Sequence, residues 1–169
     1  MTSFLAAPYV VLMPLFAKEI FGGDARLFGL LVGCSGAGSL LGSVYLATRK
    51  DTTGLAALVS LAAPTVGLAV ALFALSPSLW MAMPVLFGLG LFIIITVAGS
   101  NTLIQTQVDN DFRGRVMALF TMAFLGVAPL GSFAVGSLAH AFGVRPTLLA
   151  CGVLTVAAGL AYRRSLRKS

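Results

Sequence analysis

Long apolar runs alternate along this chain with short clusters of charged and turn-forming residues. The runs fall at roughly 3–21, 27–47, 55–75, 79–100, 116–139 and 145–162, each close to the roughly 20 residues a helix needs to cross the hydrocarbon core of a bilayer. The breaks between them are Gly22-Gly23-Asp24, the stretch Arg49-Lys50-Asp51-Thr52-Thr53-Gly54, Ser76-Pro77-Ser78, the polar segment Gln105 to Arg115, and Gly143-Val144-Arg145-Pro146. All are rich in the residues that stop helices or form turns. The pattern predicts an all-α polytopic membrane protein: six transmembrane helices, each antiparallel to the next, in a single domain over residues 1–169.

Composition supports this reading. Hydrophobic residues make up 59% of the chain and charged residues 9%, with a mean hydropathy of +1.02, against about 25% charged in a soluble domain. The net charge of +6 does not point to nucleic acid, because the basic residues are scattered singly or in pairs between apolar runs and form no continuous patch. They read as topology signals instead. With both termini in the cytoplasm, that side collects Arg49, Lys50, Arg113, Arg115, Arg163, Arg164, Arg167 and Lys168, eight of the 11 basic residues, and leaves Lys18, Arg26 and Arg145 outside. This satisfies the positive-inside rule, and the expected location is the cytoplasmic (plasma or inner) membrane. Cys34 and Cys151 both fall inside apolar runs and act as small hydrophobes. Met1 to Phe4 has no basic region of the kind that opens a signal peptide, so the first run is expected to be a mature helix.

Small residues recur at helical spacing, including Gly29/Gly33 and Gly38/Gly42 in the second run and Gly126, Gly131 and Gly136 in the fifth. Such spacing lets helix backbones approach closely in lipid, where no hydrophobic force drives them together. Pro14 and Pro129 lie well inside their runs and are expected to bend them, as a gate or merely as a shape. Polar side chains within spans are candidates for a solute path: Tyr9, Ser35, Ser39, Thr96, Asn101 and Thr121. The alternative for each is a bond to its own or a neighbouring helix. Met13, Phe16, Met117 and Met122 are either a soft surface for an amphipathic substrate or ordinary packing. None of the five acids is deep in a span. Glu19, beside Lys18, fits a local ion pair better than a coupling role, and His140 reads as an interfacial polar residue.

The stretch Asp109-Asn-Asp-Phe-Arg-Gly-Arg-Val-Met-Ala-Leu-Phe-Thr-Met-Ala-Phe-Leu-Gly-Val-Ala-Pro-Leu-Gly131 resembles the loop and helix 11 of major facilitator superfamily transporters, with Gly126, Pro129 and Gly131 as the helix's Gly, Pro and Gly. Its likeness is to the branch of enterobactin exporters and macrolide-type efflux pumps. Pro8 to Gly23 resembles the family's helix 7, and Leu27 to Ala47 its Gly-rich helix 8. The resemblance implies the carboxyl-terminal six-helix half of a twelve-helix bundle, with a first half or a second copy of the chain as partner. It also implies secondary active efflux of a small drug-like or siderophore-like amphipathic compound by alternating access. It makes Asp109, Asp111, Arg113, Gly114 and Arg115 a candidate cytoplasmic latch, opposite charges beside a helix end that pair in one state and release in another. The plain alternative is a solvated loop.

Competing readings are a non-transporting membrane subunit or assembly factor and an inactive transporter fragment. A membrane enzyme is disfavoured, since no His or carboxylate cluster, no nucleophile with a nearby base and no phosphate loop occurs. No cofactor or metal is implied. The expected partners are membrane lipid and a small-molecule substrate, with no nucleic acid.

Overall fold

The computed structural model describes residues 8–49 and 52–166. Within them the chain is helical apart from short connections. The helices are α1 (Pro8–Glu19), α2 (Ala25–Thr48), α3 (Leu55–Leu75), α4 (Leu79–Gln107), α5 (Asn110–Phe142) and α6 (Val144–Leu166). Five of them, α2 to α6, are long and apolar enough to cross a membrane. Only 12 residues of α1 are described, and the earlier part of the run expected at 3–21 lies outside the described residues.

Local chemistry sets several ends. The Asp24 carboxylate accepts from the backbone N–H groups of Arg26 and Leu27 at 3.0 and 3.2 Å, so α2 starts two residues before its apolar run. Gly143, at φ +90, takes a backbone conformation that L side chains rarely adopt and separates α5 from α6. The polar segment at 105–115, expected as a loop, is nearly all helix. Gln105 to Gln107 end α4, and Asn110 to Arg115 form the first turns of α5. The reason is that the edge of the hydrocarbon is not the edge of the helix. At about 1.5 Å per residue the 33 residues of α5 reach about 50 Å, more than the roughly 40–45 Å of a bilayer with its headgroups, and water satisfies the polar side chains of the overhang. Likewise α6 passes the expected stop at 162.

Two close helix pairs, α3 with α6 and α2 with α4, are joined by contact between α3 and α4. Glycines bring each pair together. A Cβ on Gly152 would lie 2.7 Å from the Ala71 backbone nitrogen, and one on Gly159 would lie 2.7 Å from that of Pro64. Between α2 and α4, a Cβ on Gly42 would come within 2.8 Å of the Leu91 carbonyl, and one on Gly38 would meet the Phe87 carbonyl. Here backbone packs on backbone, as membrane helices do at small residues.

The largest core cluster draws Leu12, Met13 and Phe16 from α1 against Val70 and Phe73 of α3, Leu86 and Leu89 of α4 and Leu148 of α6. The Phe16 and Phe73 rings stand 4.5 Å apart and pin α1 to the bundle. α5 is different. In its most apolar window 6% is buried, against 56% for α3, so α5 lies along the bundle with most of its surface uncovered. Pro14 and Pro129 sit inside helices that continue through them, as do Pro64 and Pro84.

Candidate functional site

The candidate residues separate into three places. The first is a buried polar node. Tyr9 Oη and Ser35 Oγ lie 3.1 Å apart in a hydrogen bond between α1 and α2. One turn on, Ser39 Oγ donates to the Ser35 carbonyl and to the Gly90 carbonyl of α4, both at 3.1 Å. Three helices are thereby tied at one level. Met13, next to this node in the chain, is buried in the core, as is Phe16. Both pack and neither lines an open surface.

The second group stays within its own helix. Thr96 Oγ1 donates to the Phe92 carbonyl at 2.8 Å, and Asn101 Oδ1 accepts from Gln105 Nε2 at 3.0 Å. The structure does not bring these two to the polar node.

The third place is the uncovered face of α5. Thr121 is exposed and Met122 is 70% exposed. Further along, Ser132, Phe133, Gly136, Ser137 and His140 line a groove of 530 Å³. Spacings of one, four, five and eight residues put these five on one side of the helix. The same side carries Gly126 and Gly136, where an added Cβ would meet nothing within 4 Å. Pro129 is exposed and Gly131 is buried. Sequence reading passed over the two serines and set His140 aside. The signal that finds them is their helical spacing, which composition does not weigh.

α2 repeats this division. Its expected contact glycines separate into two faces: Gly38 and Gly42 press on α4, whereas Gly29, Gly33 and Gly36 have open space around them. At about 100° per residue the two sets lie on opposite sides of the helix, so Gly29 and Gly33 do not pack within this bundle. α1 contacts both α2 and α5. The open glycines therefore lie on the two helices that α1 touches.

At the end of α5, Asp109 is the N-cap without a side-chain capping bond, and Asp111, Arg113, Gly114 and Arg115 are exposed in the first turns. The expected latch residues thus sit on a helix instead of a loop. Arginines stand at both ends of the bundle. Arg49 and Arg163 line one groove at one end, while Arg145 Nη2 reaches the Ser76 carbonyl at 3.5 Å at the other.

An all-α bundle whose helices are long and apolar enough to cross a membrane is the architecture of a polytopic membrane protein. A model of the transmembrane secretion effector family, of the major facilitator type, matches residues 2–169, and the chain belongs to that family, which is one of transporters. It is 27% identical over 159 residues to the uncharacterized MFS-type transporter YvqJ of Bacillus subtilis (strain 168). That match covers 94% of this chain but 37% of the relative, so the chain spans well under half the length of the curated relative it matches. No solved structure matches it significantly.

Proposed function

We propose that this six-helix bundle is the carboxyl-terminal half of a secondary active efflux transporter in the cytoplasmic membrane. It works against a further six-helix half, carried on the same or another polypeptide, and moves a small amphipathic compound, drug-like or siderophore-like, by alternating access. The observation that carries this reading is the uncovered face of α5, with its open glycines and the groove at Ser132, Ser137 and His140, together with the open glycines of α2. Alternating access needs a solute site between two repeats that rock against each other. A face combining small residues, which admit a close neighbour, with hydroxyls, an imidazole and a soft thioether at Met122 suits such an interface. In this reading both termini are cytoplasmic, and Arg113 and Arg115 with Asp109 and Asp111 latch the cytoplasmic end.

Purified chain in proteoliposomes, given an imposed proton gradient and a panel of lipophilic cations and siderophore-like compounds, tests this. The expected outcome is no sustained flux from the monomer and flux once a companion half is supplied. Sustained gradient-driven flux from a demonstrated monomer would overturn the half-transporter reading, and flux from a dimer of this chain would replace the companion half with a second copy. No flux with any companion would leave a non-transporting subunit as the better description.

A further inference from the structure

At the end of the bundle where α2 stops and α3 begins, a groove of 810 Å³ is lined by Arg49, Gly54, Leu58, Ser60, Leu61 and, from the last turns of α6, Arg163, together with the first-turn alanines of α3. It is remote from the α5 groove, shares no residue with it, and has no part in the transport reading. Two arginines, Arg49 just after α2 and Arg163 of α6, share its lining with Leu58 and Leu61. Arg49 is held in place. Its Nη2 donates to the Thr53 carbonyl, 2.6 Å away, and its guanidinium lies 6.0 Å from the centre of the Tyr45 ring. A Cβ at Gly54 would sit 3.8 Å from that same Nη2, so the side chain lies along the turn. The guanidinium fork carries five N–H donors, and the bond to Thr53 uses one edge of it. In the same lining, Leu61 is 51% exposed and Leu58 is half-buried, while the Ser60 hydroxyl donates to the Ala57 carbonyl and adds no polar demand. In the sequence, Lys50 and Arg164 stand beside Arg49 and Arg163, and Asp51 is the acid next to them in the chain, four positive charges to one negative.

We propose that this groove is a binding site for an anionic phospholipid, with the phosphodiester between Arg49 and Arg163 and the start of an acyl chain against Leu58 and Leu61. Basic pockets between membrane helices recognise anionic headgroups, and each Lys or Arg near the membrane surface strengthens the attraction. A free phosphate would use the arginines alone. The apolar lining that Leu58 and Leu61 add to the same groove is what selects a lipid. The bound lipid would bridge the α2–α3 turn to the end of α6 and so stiffen that end of the bundle. This inference requires only that the chain spans a membrane and stands whichever way transport is decided.

Native mass spectrometry of the detergent-solubilised full chain, titrated with phosphatidylglycerol, phosphatidylcholine or glycerol phosphate, tests it. Phosphatidylglycerol is expected to bind at least about tenfold tighter than phosphatidylcholine, and the double variant Arg49→Gln/Arg163→Gln to lose about 10- to 30-fold of that affinity, at about 1 kcal/mol per charge. The pair Arg26→Gln/Arg145→Gln is expected to lose none. Leu61→Ser, which alters no charge that directs insertion, is expected to weaken phosphatidylglycerol but not glycerol phosphate. Equal binding of the two lipids, or equal loss in both arginine pairs, would overturn the site. Glycerol phosphate competing as well as phosphatidylglycerol, or Leu61→Ser without effect, would make it a simple anion site and overturn the lipid assignment.

Discussion

Gly38 and Gly33 differ by little in sequence and by everything in surroundings. A Cβ on Gly38 would meet the Phe87 carbonyl of α4, whereas one on Gly33 would meet nothing within 4 Å. Gly38→Val is therefore expected to destabilise the purified bundle by about 1–3 kcal/mol through overpacking, read as a lower thermal unfolding midpoint. Gly33→Val should leave that midpoint unchanged and, if the open face receives a companion half, impair transport in the complete system. A fall in stability equal to that of Gly38→Val would mean that α2 packs differently. At Tyr9 the expected loss is small. Tyr9→Phe removes one interhelical hydrogen bond, and such bonds average about 0.6 kcal/mol in membranes. Neither glycine's role was readable from spacing alone, because both pairs satisfy the same small-xxx-small pattern. The difference lies in which side of α2 the neighbouring helix occupies.

At the scale of elements, the apolar runs located the helices, while the polar overhangs escaped them. Hydropathy reports where lipid is, and the backbone goes on hydrogen-bonding past that limit until a cap or a glycine stops it, as at Val108 and Asp109 or at Gly143. The charges at 111–115 consequently ride on the first turns of α5, with Asp109 at its N-cap. Replacing Arg113 and Arg115 with Gln is expected to leave membrane abundance near normal, since exposed charges are worth about 0–1 kcal/mol each, but, if the chain works with a companion half as proposed, to slow transport in that complete system. Unchanged transport would reduce these residues to topology signals. The orientation has its own test. In a background without Cys34 and Cys151, a cysteine at Thr53 should resist a membrane-impermeant thiol reagent in intact cells and one at Ser78 should react. The opposite pattern would invert the topology.

Over the whole molecule, burial is uneven. α3 and α6 form a glycine-welded pair at the centre, and α5 keeps most of its surface uncovered. Exposed side chains such as Met122, Leu125, Leu130 and Phe133 would meet lipid or another body. The purified bundle is accordingly expected to self-associate weakly in detergent, measurable by sedimentation as a concentration-dependent shift. A strictly monomeric species at all concentrations would argue against a sticky face. The amino-acid sequence by itself determined the solvent this protein lives in, the number of its apolar runs and the likeness of the stretch from Asp109 to Gly131 to a transporter family, because all three rest on the order of residues along the chain. Tertiary structure alone decided which glycines weld helices and which face outward. It alone brought Tyr9 to Ser35 and buried Met13 while exposing Met122. It also set Arg49 and Arg163, 114 residues apart by their numbering, over one groove. Pairing of this kind depends on the relative rotation and depth of packed helices. A helix that is apolar all round carries almost no record of that rotation in its own sequence.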